Sequence, residues 1–138
     1  MMFSARAVTL APRDRGVTLD AGALIGLDRG DRRVITLLAR ALETAARVTI
    51  PATALAQAVR NPTRQVRLAR LLRQPATDVV ALDRLGATAV GRLLAASGTA
   101  DVVDAHVVLC ARRTGQVVVT SDAGDLRRLD PSLSLVSL

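Results

Sequence analysis

Aromatic residues are almost missing from this chain: Phe3 is the only one, and it has no tryptophan or tyrosine. The stacking platforms of RNA-recognition sheets and oligonucleotide-binding barrels therefore cannot be built from it. Cysteine occurs once, at Cys110, which rules out an internal disulfide or a knot of thiolates and leaves a small core residue as its expected role. Histidine also occurs once, at His106, so no nitrogen-and-sulfur ligand set for zinc exists. No apolar run approaches the roughly 18 residues of a membrane span, and the opening MMFSARAVTLAPRDRG has no apolar centre of the signal-peptide kind. A cytoplasmic protein with no membrane association is expected. Glycine-rich GxGxxG and GxxxxGK[ST] segments are absent, which disfavours nucleotide cofactors.

Lysine is absent too, so all 19 basic residues are arginine, and the formal net charge is +7. Such composition fits a GC-rich genome. It also has a physical consequence, because the guanidinium fork binds phosphate through paired hydrogen bonds and stacks on bases, which an ammonium does not. Nucleic acid is the natural partner for such a surface, and solvated helix faces are the alternative reading of the same arginines.

With 138 residues, half of them apolar, the chain can bury one sizeable core. One domain is expected over residues 17–138, after an extension of residues 1–16 that the fold does not need. Short apolar runs at Val17-Thr18-Leu19, Val48-Thr49-Ile50, Val79–Leu82, Val117–Val119 and the final SLSLVSL read as strands. Helical spacing is found in AGALIGL, in Arg32 to Ala46, in ALAQAVR, and from Pro62 to about Arg73 with Asn61 as its cap. Two more helices follow, one from Asp83 to Gly98 and one from a Thr99 cap to Gly115. Strands alternating with helices predict an α/β class, a three-layer α/β/α sandwich around a parallel sheet of about five strands.

In such a sheet, ligands bind beyond the carboxyl ends of the strands, where strand order reverses. Asp20 follows the first strand and Asp122 the fourth. Asp101 and Asp104 share one face at a helix start, near the positive end of its dipole, and Asp125 lies three residues past Asp122. These five make up nearly half of the 12 acidic residues in a chain that is otherwise basic. Carboxylates gathered in one place repel, and a divalent cation is what stabilises such a group; all-oxygen ligands favour Mg²⁺ or Mn²⁺. Taken singly, each aspartate reads equally well as a helix cap or a turn former.

Four segments, VTLDAGALIGL, VTIPATALAQAVR, GTADVVDAHVVLCARRTG and QVVVTSDAGDL, resemble in order and spacing the motif series of PIN-domain proteins, in particular the toxins of bacterial VapBC toxin–antitoxin pairs. The resemblance spans residues 17 to 138. It implies a Mg²⁺- or Mn²⁺-dependent ribonuclease acting on RNA such as tRNA or ribosomal RNA, a small cognate antitoxin that blocks the site, and a homodimer. Asp20 matches the first acid of the family, Asp104 the acid before the helix, and Asp122 the acid of the last motif. Asp101 and Asp125 match supporting acids, with Asp101 also implied in catalysis. Thr120 or Ser121 resembles the hydroxyl residue that orients the last acid.

One position departs from the pattern: Gln57 stands where the family usually carries glutamate. An amide oxygen still ligates a metal or holds a metal-bound water, but it brings no charge and cannot act as a base. The departure leaves open a catalytically weakened domain that serves as an RNA- or partner-binding regulatory module. The only glutamate, Glu43, stands between Arg40 and Arg47 at helical spacing and is expected to pair with them on the surface. Arg60, Arg64 and Arg67, with Arg70 and Arg73 beyond them, recur along the helix after Pro62 and are the candidate RNA-binding edge. His106, two positions from Asp104, is expected to point away from the acids and serve structure. A phosphatase with an aspartate nucleophile would call for DxD after the first strand, and Asp20-Ala21-Gly22 supplies one acid.

Overall fold

The structure, a computed structural model, describes residues 15–138; apart from Arg15 and Gly16, the expected extension lies outside the described residues. Five strands form one sheet: β1 (Val17–Leu19), β2 (Val48–Pro51), β3 (Thr77–Val80), β4 (Val117–Thr120) and β5 (Leu135–Ser137). They lie in the order β3-β2-β1-β4-β5 and every pairing is parallel. The seven helices among the described residues are α1 (Ala21–Asp28), α2 (Arg32–Glu43), α3 (Ala52–Ala58), α4 (Val66–Leu72), α5 (Arg84–Ser97), α6 (Val102–Thr114) and α7 (Ala123–Leu129). None of them is long and apolar enough to cross a membrane by itself.

From β1 the chain steps one way, through β2 to β3, and then crosses back to β4 and β5 on the other side. Because parallel crossovers are right-handed, the reversal puts α1, α2 and α4 on one face and α5, α6 and α7 on the other. The expected three-layer α/β architecture follows. Central strands carry the apolar load: Leu19, Val48, Ile50, Val118 and Val119 are fully buried, with Leu24 of α1 and Val107 of α6 against them. Cys110 is buried in this core, as expected. Helices α5 and α6 stop at Gly98 and Gly115, both in the left-handed conformation that glycine adopts without strain.

Several boundaries differ from the sequence reading. Asn61-Pro62 opens a turn instead of a helix, and α4 begins only at Val66. Gln65 is the reason: its buried side chain accepts the backbone N–H groups of Arg60 and Asn61 at 2.9 and 3.2 Å and donates to the carbonyl of Ala58 at 2.8 Å. A side chain that satisfies three backbone groups at once fixes the loop, overriding the proline signal. The third strand starts at Thr77, two residues before the expected Val79, because its ladder with β2 runs from Val48↔Thr77 to Pro51↔Val80. Thr99 is not the cap of α6; Asp101 is, accepting the Asp104 N–H at 2.9 Å, while the Thr99 hydroxyl meets that of Ser97. Helix α2 ends at Glu43, short of Ala46, and Arg47 pairs with Asp78 at 3.5 Å, not with Glu43.

Gln65→Ala should therefore lower stability by about 1–3 kcal/mol, the cost of stranding buried backbone groups. Urea denaturation followed by circular dichroism checks this; an unchanged midpoint would assign the loop to other contacts.

Candidate active site

The carboxyl ends of β1 and β4 lie side by side, so the residues that follow them meet. Asp20 continues the β1 ladder with its N–H on the Val119 carbonyl at 3.2 Å, then caps α1, its Oδ1 accepting the Ala23 N–H at 2.7 Å. Only 4% of Asp20 is exposed. Burial raises the pKa of its carboxyl group and the neighbouring Asp122 adds to this, while hydrogen bonds from the Thr120 hydroxyl and the Ala23 and Ser121 backbone pull the other way. Thr120 also accepts the Asp122 N–H at 2.7 Å through the same Oγ1. One hydroxyl thus fastens the first acid to the turn that bears the last. Ser121 packs its own hydroxyl against Gly22, where any side chain would collide with it.

From the other face, α6 brings the remaining pair. Asp101 caps the helix and Asp104 sits in its first turn, half-buried. The Asp104 carboxyl is pushed up to about 7, first by burial and then by the negative charges of Asp101, Asp20, Asp125 and Asp122. All five expected acids therefore act on one another. The carboxyl of Asp125, on α7, is raised mainly by its closeness to Asp122. A cavity of ≈ 190 Å³ opens here, lined by Asp101, Asp104, Asp125, Thr99, Leu129 and Arg128. Arg128 is a residue that sequence reasoning did not place: it lies one turn beyond Asp125 on α7, and only the docking of α7 beside α6 puts its guanidinium among carboxylates.

Among the described residues, no three His, Cys, Asp or Glu side chains converge closely enough to clasp an ion as they stand. The donors nevertheless fit a hard divalent cation chemically, being all carboxylate oxygens whose mutual repulsion a positive charge would relieve. Gln57 is exposed on α3, the helix that packs against both α1 and α6, the helices of Asp20 and Asp104.

The remaining candidates fall elsewhere. Arg67 donates to the Asp28 carbonyl at 3.4 Å, at the far end of α1, about 12 Å along the helix from Asp20. Arg60 turns back onto the carbonyls of Ala56 and Val59, at 3.1 and 2.7 Å, and Arg64 is exposed in the turn before α4. None of these three lines the acidic cavity. His106 is buried and held by the Thr53 hydroxyl at 2.8 Å and the Ala81 backbone; burial pushes its pKa down, consistent with a structural role. Burial likewise pushes the Cys110 thiol up to about 11, so it is not a reactive thiolate. Arg112, at the end of α6, pairs with Asp130 at 2.7 Å and ties α6 to the end of α7.

No family model and no curated protein matches the chain. Solved structures do match. FitAB bound to an IR36 DNA fragment is 15% identical, with 88% of this chain and 94% of that one covered at a TM-score of 0.60. VapBC2 from Rickettsia felis, bound to a DNA fragment from their promoter, is 15% identical over 88% and 98% of the two chains, with a TM-score of 0.61. FitAcB from Neisseria gonorrhoeae is 18% identical over 88% and 96%, with a TM-score of 0.60. The likeness is one of fold, and it extends over nearly the whole of each matched chain.

A carboxyl raised to about 7 in the folded state, against 3.8 unfolded, keeps a proton that the unfolded chain has already lost. The folded protein then binds more protons than the unfolded between these values, so stability falls as pH rises from about 4 to 7. Thermal melts across this range should show a falling midpoint without divalent metal, and Asp104→Asn should flatten the slope. A midpoint that climbs toward pH 7 in both proteins would contradict the clustering.

Proposed function

We propose that the protein is a divalent-metal-dependent endoribonuclease of the PIN type, acting as the toxin of a type II toxin–antitoxin pair. The observation that carries this reading is Asp104 at the switch point of a parallel sheet, whose carboxyl is pushed up to about 7 by burial and then by the charges of four other aspartates. The fold shared with FitAB and VapBC2 complexes supports the toxin assignment and with it an antitoxin partner; a homodimer is part of the same proposal.

Asp20, Asp104 and Asp122 would hold Mg²⁺ or Mn²⁺, with Asp101 and Asp125 adding negative charge. When bound, the ion supplies a water of lowered pKa and neutralises charge on the phosphoryl oxygens. The protein's own groups do the rest. Asp20 is fixed by the Ala23 N–H and the Thr120 hydroxyl and so sets one corner of the site. Arg128 lines the same cavity and is placed to bind the non-bridging oxygens of a phosphodiester through its paired donors. Gln57 contributes an amide oxygen without charge, which favours loose metal binding. This same feature, together with carboxylates that stand apart, is what favours the second reading, a weakened domain that binds RNA without cutting it.

Incubating the protein with total RNA and Mn²⁺ should produce discrete cleavage products. Asp20→Asn and Asp104→Asn should each lower the rate by more than about a hundredfold, since even the partners of metal ligands cost about 10–100-fold when removed. RNA that is bound but uncut would replace the nuclease reading with the regulatory one. Gln57→Glu should leave the fold unchanged and tighten Mn²⁺ binding; equal affinities of the two proteins by calorimetry would show that position 57 stands outside the metal site.

A further inference from the structure

We propose that the outer faces of α1 and α2 form a track for the single-stranded RNA leaving the acidic site. The proposal takes its starting point from the nuclease reading. A cavity of ≈ 530 Å³ begins at Ser121 and Gly22, next to Asp20, and follows one side of α1 past Ile25 and Gly26 to Arg29 and Asp31. A second, of ≈ 430 Å³, takes over at Arg32 and Arg33 and runs along α2 past Thr36 and Leu37 to Arg40. The first ends at Asp31 and the second begins at Arg32, the next residue in the chain. Together they extend about 12 Å along α1 and about another 12 Å along α2.

The charge of this path is one-sided. Asp31 is its one acid, and it is held by Arg33 at 2.9 Å while also capping α2. Arg29, Arg32 and Arg40 are exposed, and none makes a side-chain hydrogen bond or ion pair among the described residues. They are spaced along the path, not clustered, which suits successive phosphates of an extended strand better than one compact anion. Guanidinium groups bind phosphate bidentately and stack on bases, and the described residues include no Phe, Tyr or Trp to do so in their place. Arg60 and Arg67 are instead turned onto backbone carbonyls, and neither lines the acidic cavity or the two along α1 and α2. The track therefore gives affinity without base readout, and that affinity depends strongly on salt.

The test is fluorescence anisotropy of the full chain with a labelled, unstructured RNA of about 20 nucleotides, in EDTA, across a KCl series. R29A/R32A/R40A should make the slope of log affinity against log salt shallower by about 2, from ~0.7 for each of three phosphates. R84A/R92A/R113A removes the same charge from exposed positions assigned to no binding surface and should leave the slope within about 0.5 of wild type. Arginine-to-glutamine versions of both sets serve if an alanine set does not fold by circular dichroism. Equal effects of the two sets, or none from the first, overturn the track. So does loss of binding to a labelled polyglutamate with RNA binding intact, which would make the surface a site for an acidic protein. Since cleavage is not involved, a track that passes while Mn²⁺ yields no cutting leaves docking established and the nuclease reading refuted. Cutting with no effect of the track variants gives the converse.

Discussion

Asp20 is buried and Asp104 half-buried at one edge of this sheet, and burial, with the charges of Asp101, Asp20, Asp125 and Asp122 added to it, pushes the Asp104 carboxyl up to about 7. An isolated aspartate in water would lose its proton around 3.8. The shift reflects lost hydration first and the neighbouring negative charges second. Every anchor is local and specific: Asp20 is pinned as the cap of α1, Asp101 as the cap of α6, and the backbone of Asp122 by the Thr120 hydroxyl. Of the residues so held, Asp20 is buried while Asp101 and Asp122 are exposed. The acidic edge is thus as much a stability problem as a chemical opportunity, and a cation or a proton is its remedy.

The surface is organised in opposition to that edge. Nineteen arginines and a net charge of +7 would draw any polyanion, yet the acids repel one. The two tendencies are reconciled by place. The cavity of acids contains a single arginine, Arg128, whereas the path along α1 and α2 is arginine with one neutralised aspartate. Such a division suits a strand held along its length and attacked at one phosphate. It also explains how a chain with Phe3 as its only aromatic residue could hold RNA, through the guanidinium fork and the salt-dependent release of counterions.

Much of the fold was legible in the sequence because its signals were local. Leu19, Ile50 and Val118 lie in short apolar runs that only a sheet covered on both faces buries, and Asp83, Gly98 and Gly115 mark helix ends by capping chemistry acting within a few residues. The sites that failed were those decided by distant partners. Asn61-Pro62 carried a sound helix-start signal, but Gln65 gathered three backbone groups around itself, all of them four or more residues away. Arg47 stood at helical spacing from Glu43, yet its partner Asp78 arrives on the neighbouring strand.

By itself, then, the sequence determined the five-stranded α/β class and the identity of the acids, since alternating patterns, caps and the order of strand ends are all properties of contiguous residues. Tertiary structure alone decided that Asp101 and Asp104 face Asp20 across two layers, that Arg128 joins the acids while Arg67 does not, and that α1 and α2 align two cavities. The physical reason is the crossover from β3 to β4. It carries α5 and α6 to the opposite face and returns the chain beside β1, so carboxylates about a hundred residues apart are brought within reach of each other's charge.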